Sequence, residues 1–249
     1  MVAVGLEEIA VKEIAPTGKL RVGVVEAPVA TAFFVTKDAA GKAHGVTVDL
    51  AEELAAKLGV PVEFTIAPNS GEVTEATARA ALDVSFMPVD DERRKKLDFG
   101  PSYYLGESTY LARPGSDIKT LADVDRPGVR VIGIANTTTI RSAARTLKVA
   151  KIAPVPSVEQ AMAMIRAGDA DAFALSKDSL RPLTADFPGA RILEEAFHVV
   201  GIGVCVPKNR PAALAYVSAF LEEAKASGSV RRALDRAGMQ GEAVAPAGR

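Results

Sequence analysis

The sequence contains no tryptophan, one cysteine and two histidines in 249 residues. The lone Cys205, in VGIGVCVPK, excludes an intramolecular disulfide and reads as a small buried residue of an apolar strand. Single-cysteine usage fits the cytoplasm and also exported proteins that lack disulfides, so it leaves the compartment open. His44 and His198 stand far apart in the sequence, and no zinc site or other metal site is expected from them. Aromatics make up only 5%, so stacking platforms for single-stranded nucleic acid are poorly supplied. Neither sign of charge dominates: 30 basic residues face 31 acidic ones, for a formal net charge of -1. That balance calls for neither nucleic acid nor an anionic membrane. There is no apolar run of about 18 residues, the length of a membrane-spanning helix. The first segment, MVAVGLEEIAVKEIAPTGK, has no basic stretch followed by a long apolar core, so it does not read as a secretory signal. No phosphate-binding G-x-x-x-x-G-K-[ST] loop occurs. GIGVC is too short to mark a dinucleotide site, and Ser176 and His198 have no arranging acid that the sequence identifies.

What is present is ordinary globular composition, 48% hydrophobic and 24% charged, with alternating strand and helix patterns. LRVGVV (20–25) predicts a buried strand. GVTVDLAEELAAKLG (45–59) predicts a helix, with Asp49 as its cap, Leu50, Leu54 and Leu58 on one face and Gly59 as its stop. VPVEFTI (60–66) is a second strand, EVTEATARA (72–80) a helix and LDVSFM (82–87) a third strand. The pattern then restarts with strand 129–135, helix 137–148, strand 150–155, helix 157–168 and strand 171–176. The helix at 157 opens with a Ser157–Gln160 capping box and ends at Gly168. Between the halves, FGPSYYLGESTYLARPGSD (99–117) reads as a Gly-, Pro- and Ser-rich link. A long apolar strand (197–208), a helix opening on Pro211 and a last helix (229–238) complete the chain. The fold class is α/β, with two β/α halves and a cleft expected at the carboxyl ends of the strands.

One stretch resists a purely structural reading. DVSFMPVDDERRKKLDF (83–99) places Arg93, Arg94, Lys95 and Lys96 in a row behind three acids. A charge run of this kind is ordinarily a solvated face. Its surroundings say more. GKLRVGV, GVTVDLAEELAAKLGVPVEF, LDVSFMPVDDERRKKLDFGPSYY, VIGIANTTTIRSA and AGDADAFALS occur in this order over roughly residues 18–238. In order and spacing they resemble the type II periplasmic solute-binding proteins of ABC importers, the family that includes the polar amino-acid binders.

The resemblance implies two lobes joined by two hinge strands: lobe one from about 1–104 and 200–249, lobe two from about 105–199. It also implies that Arg93 grips a ligand carboxylate, a task suited to a planar guanidinium that is always charged. In the second lobe Thr138 and Thr139 stand at a helix start, where amide groups and the helix dipole favour an anion. Ser176, Glu26, Asn69 and Met87 occupy other positions that the resemblance assigns to the ligand. The sequence departs from the family at several of these. Ser176, followed by Lys177, replaces the acid that would balance an α-ammonium; Asp90 and Pro88 replace hydroxyl residues before Arg93; and Val29 replaces an aromatic. The function implied is extracytoplasmic binding of a small carboxylate-containing solute, an organic acid or an amino-acid-like compound, for delivery to a membrane permease. No cofactor is implied, a monomer is expected, and the periplasmic location follows from the resemblance, with an export signal absent from this sequence. The alternative is a cyclohexadienyl or arogenate dehydratase-like enzyme on the same fold. Such an enzyme needs a proton-donating acid where Ser179 stands, with Asp178 beside it.

Overall fold

A computed structural model describes residues 2–185 and 187–249. In chain order the elements are α1 (Val2–Ile14), β1 (Leu20–Glu26), β2 (Phe34–Lys37), β3 (Ala43–His44), α2 (Val46–Leu58), β4 (Val62–Ala67), α3 (Ser70–Ala78), β5 (Val84–Pro88), α4 (Asp91–Lys96) and β6 (Leu97–Ala112). There follow α5 (Leu121–Val124), β7 (Val131–Ile134), α6 (Thr138–Thr146), β8 (Ile152–Val155), α7 (Val158–Ala167), β9 (Ala172–Ser176), α8 (Lys177–Thr184), β10 (Arg191–Ile192), β11 (His198–Pro207), α9 (Pro211–Ala226) and α10 (Ser229–Arg236). The chain divides into two compact units. Unit 1 holds Met1–Glu26, Ala30–Leu105 and Gly201–Arg249; unit 2 holds Ala27–Val29 and Gly106–Val200.

In unit 1, β1 pairs in parallel with β2, β4 and β5, and β5 pairs antiparallel with the second half of β11. β1 reads LRVGVVE and is buried along most of its length, as a strand covered on both faces should be. Gly23 in its centre is required by space: a Cβ there would lie 2.5 Å from Leu82 Cδ1 and 2.7 Å from a Val73 methyl. At the amino-terminal edge of this sheet Asp83 is fully buried and takes Arg21 Nε at 2.8 Å and Nη2 at 2.6 Å, with Arg210 Nη1 at 3.4 Å. Glu13 at the end of α1 accepts from the Ala213 N–H at 2.8 Å, which caps α9.

In unit 2, β7 runs parallel to β8 and β9, and β9 runs antiparallel to β6. Its core joins Tyr110, Ala112, Ile118, Val124, Val131 and Ala143. α7 has the cap expected at Ser157, whose side chain accepts from the Gln160 N–H, and it ends at Gly168 in the left-handed region (φ 78°).

Two expectations are corrected. Asp49 does not cap α2, which starts three residues earlier with Gly45 as its N-cap; the Asp49 carboxylate instead pairs with Arg236 Nη2 at 2.8 Å. The Gly-, Pro- and Ser-rich link at 99–117, whose composition gave no strand, is strand as far as Ala112, since residues 97–112 form the 16-residue strand β6. The tyrosines, leucines and Thr109 are good strand formers, and five residue pairs with β9, from Ser108↔Ser176 to Ala112↔Ala172, decide the matter.

Candidate functional site

The candidate groups of unit 1 gather at the carboxyl ends of β1, β4 and β5, which the parallel register places along one edge. α4 follows β5 at once. Asp90 caps it, accepting the Arg93 N–H at 2.8 Å, and the helix carries Asp91 and Glu92 in its first turn with four cations behind them, the polarity that suits the helix dipole. Only one of those cations turns inward. Arg93 is 2% exposed. By contrast Arg94 lies over the Phe99 ring at 5.7 Å, Lys95 pairs with Glu92 at 2.6 Å, and Lys96 pairs with Glu75. These are the solvated contacts of a surface helix.

The Arg93 guanidinium is held at both ends. Nη1 donates to the Pro88 carbonyl at 2.8 Å and Nη2 to Ser70 Oγ at 2.5 Å. Ser70 is the first residue of α3, so the cation sits beside the first turn of that helix, where backbone N–H groups lack intrahelical acceptors. Asn69 caps α3: its Oδ1 accepts the Glu72 N–H at 3.0 Å while Nδ2 donates to Glu72 Oε1 at 3.2 Å. Met87 is fully buried at the end of β5, with Thr74 Oγ1 3.4 Å from its sulfur. Glu26 closes β1 and pairs with Lys37 at 2.8 Å, both side chains about two-fifths exposed. The structure therefore brings Arg93, Asn69 and Met87 around the start of α3, and gives Glu26 a surface partner. Behind them Cys205 donates to the Ser85 carbonyl at 3.4 Å. Burial pushes its thiol up to about 12, against the opposing pull of the Arg93 charge, so the thiol is an inert core group.

In unit 2 the candidates lie at the carboxyl ends of β7 and β9, again on one edge. Thr137 is the cap of α6; its Oγ1 accepts the Ile140 N–H at 3.2 Å and donates to the Ile134 carbonyl at 2.7 Å. Asn136 before it adopts φ 58°, the left-handed conformation that asparagine tolerates and that turns the chain into the helix. Thr138 and Thr139 are thus the first two helical residues, the former fully buried and the latter half-buried. Ser176 ends β9 and precedes α8, but its hydroxyl does not cap that helix; it donates to Ser179 Oγ at 2.7 Å. Lys177 donates to Glu107 Oε2 at 3.0 Å and to the Glu194 carbonyl at 2.7 Å. Sequence reasoning missed Ser70, the direct partner of Arg93. The signal available was its place immediately after a capping asparagine, on the helix that follows β4. Among the described residues no group of three His, Cys, Asp or Glu side chains is arranged to hold a metal ion, and no helix is long and apolar enough to cross a membrane.

A buried arginine thus stands beside a helix start at the carboxyl edge of the parallel sheet of unit 1. The model of the bacterial extracellular solute-binding proteins, family 3, matches residues 20–239. The chain belongs to that family. The ABC transporter glutamine-binding protein GlnH of Bacillus subtilis (strain 168) is 22% identical over 204 residues, which is 79% of this chain and 73% of that protein. A crystal structure of a mutant of ArgBP from T. maritima superposes with a TM-score of 0.79 at 26% identity, covering 91% of this chain and 98% of the other. The ancestral amino acid-binding protein AncCDT-1, described as a precursor of cyclohexadienyl dehydratase, gives a TM-score of 0.77 at 28% identity and covers 91% and 98%. The fold is therefore the α/β periplasmic-binding-protein fold, and α1 and the last ten residues lie outside the matched family region.

Proposed function

We propose that the protein is the extracytoplasmic solute-binding component of an ABC importer, working in the periplasm as a monomer. In this reading its two units are the two lobes of the family, with β6 and β11 as hinge strands. Its solute is small and carries a carboxylate, as an organic acid or an amino-acid-like compound does. The observation that supports this most directly is Arg93, a buried guanidinium fixed by Pro88 and Ser70 beside the first turn of α3. A cation so placed and shielded gives a carboxylate a charge-assisted bond. Thr138, Thr139 and Ser176 are the contributions proposed for unit 2. The names of similar proteins, binders of glutamine and arginine, set the first compounds to try.

The test is a thermal-shift screen followed by calorimetry with L-glutamine, L-arginine, their 2-oxo analogues and small dicarboxylates. A ligand at a hundred times its Kd stabilises by about 2.7 kcal/mol. The expected result is a shift with at least one carboxylate that disappears in Arg93→Ala. Binding of neutral solutes alone would overturn the reading. No covalent chemistry belongs to this proposal. The dehydratase alternative requires a proton-donating acid at the position of Ser179, whose buried hydroxyl instead accepts from Ser176. Turnover of prephenate or arogenate by the purified protein would reverse that choice.

A further inference from the structure

The loop that joins β1 to β2 leaves the sheet at the same carboxyl edge that carries Ser70 and Arg93. Thr31 folds it into a tight turn. Its N–H donates to the Phe34 carbonyl at 3.0 Å, and its Oγ1 accepts the Phe33 and Phe34 N–H groups at 3.2 and 3.0 Å. The next residue, Ala32, is 1% exposed and directs its carbonyl into the protein, where the Tyr103 hydroxyl donates to it. A buried carbonyl left without a donor would destabilise the turn, so this phenol specifies where the loop sits. The Tyr103 ring meets Phe86 edge-on at 6.0 Å, directly before Met87.

Tyr103 is itself held from behind by the last residues of the chain. Its carbonyl accepts the Ala245 N–H at 2.9 Å, Tyr104 bridges to Val244, and the Tyr104 hydroxyl donates to Glu242 at 2.9 Å. That terminal segment is tied to α9, with Lys225 Nζ on the Pro246 carbonyl at 2.9 Å and the Gly248 N–H on Glu222 at 3.1 Å. Its backbone is thus pinned while its side chain reaches forward to the loop.

We propose that Tyr103 is a positioning residue for solute binding: clamped at its backbone by the C-terminal segment, it fixes the unit 1 part of the β1–β2 loop, residues 30–33, at the carboxyl edge of the unit 1 sheet through the Ala32 carbonyl. The inference rests on the solute-binding reading for its effect on affinity, but the loop itself is measured without ligand. The experiment is Tyr103→Phe, which keeps the ring and removes the hydroxyl. In unliganded protein, hydrogen–deuterium exchange at the Phe33 and Phe34 amides should quicken about tenfold, while the Phe86 and Met87 amides of β5 keep their protection. Calorimetric titration with L-glutamine and L-arginine should show about tenfold weaker binding of whichever binds the unmodified protein. Tyr104→Phe, whose lost hydroxyl contacts Glu242, should leave the Phe33 and Phe34 amides as they were. Unchanged loop exchange in Tyr103→Phe would overturn the proposal. So would faster exchange without loss of affinity, or equal acceleration in Tyr104→Phe.

Discussion

At the scale of the residue, the run Arg93-Arg94-Lys95-Lys96 separates one buried cation from three solvated ones. The separation is local in origin. Asp90 sets the start of α4, and a short helix can present only one of its four cations to the β5 end of the sheet. Arg93→Ala is expected to weaken solute binding by about 2–5 kcal/mol, because the ligand carboxylate would be desolvated without its partner. Arg94→Ala should change it little, and calorimetry on the two variants checks the order. Ser176 is a contribution proposed for unit 2. A zwitterion would need an anionic group for its ammonium, and a buried charge without compensation is disfavoured by several kcal/mol. Ser176→Asp should shift preference toward α-amino acids over their deaminated analogues, measured as paired titrations on both proteins. An unaltered preference would place the ammonium partner elsewhere, with Glu26 the first residue to examine.

At the scale of the element, a polar cluster ties three parts of unit 1 together. Asp83 at the start of β5 draws Arg21 from β1 and Arg210 from the turn before α9. Asp83→Ala would remove the carboxylate shared by two part-buried guanidinium groups and should destabilise the protein by about 2–4 kcal/mol in urea unfolding. Because this tie sits at the edge of the sheet opposite the Arg93 cluster, solute affinity should change much less than stability. The elements were legible where two signals coincided. β1, β5, β7 and β9 are short β-branched or apolar runs, and α2, α7 and α9 each end or begin on a glycine or proline with a matching stripe. Signals failed where composition and pairing disagree. Gly100, Pro101, Gly106 and Ser108 made β6 read as a link, whereas its partners in β9 and the terminal segment are distant in sequence. The same limit applied to the site. Arg93 was singled out by the family resemblance rather than by the charge run itself, and Ser70 becomes its partner across 23 positions, while Tyr103 reaches Ala32 across 71. Neither contact leaves a periodic trace. The cap of α6 was not legible either, since three consecutive threonines offer equal caps until Asn136 fixes the turn.

At the scale of the whole molecule, folding lowers carboxylates in both units, and the one with the most bonds to cations is Asp171. In unit 2 Asp171 is held well below the usual carboxylate range, chiefly by Arg130 and further by Arg113; Arg130 supplies its N–H, Nε and Nη2, and Arg113 its Nε at 2.7 Å. Three more aspartates of this unit are lowered: Asp125 by the backbone N–H groups of Lys148, Val149 and Ala150, Asp117 by Arg126, and Asp123 by the Lys119 N–H and Thr120. In unit 1 Asp38 is lowered through His44 and the Lys42 N–H, and Glu222 is lowered where burial opposes the shift and Lys225 and the Gly248 N–H outweigh it. A group whose folded pKa is depressed contributes stability that is present above its unfolded value, near 3.9 for aspartate, and is lost as pH falls toward the folded value. Acid should therefore weaken the Asp171 cluster of unit 2, beginning as pH drops below about 4–5. The exposed pairs are screened by salt, so the part that survives at high ionic strength should be that of Asp171, whose side chain is 13% exposed. Hydrogen–deuterium exchange read by mass spectrometry at pH 7 and at pH 3.5, corrected for intrinsic rates, should show the peptides that carry Arg113, Arg130 and Asp171 losing protection. Asp171→Asn should already show part of that loss at pH 7 and a shallower dependence below it. Simultaneous loss across both units would mean that unit 1 and unit 2 unfold as one cooperative body and that the aspartates of unit 2 set the acid limit of the entire chain.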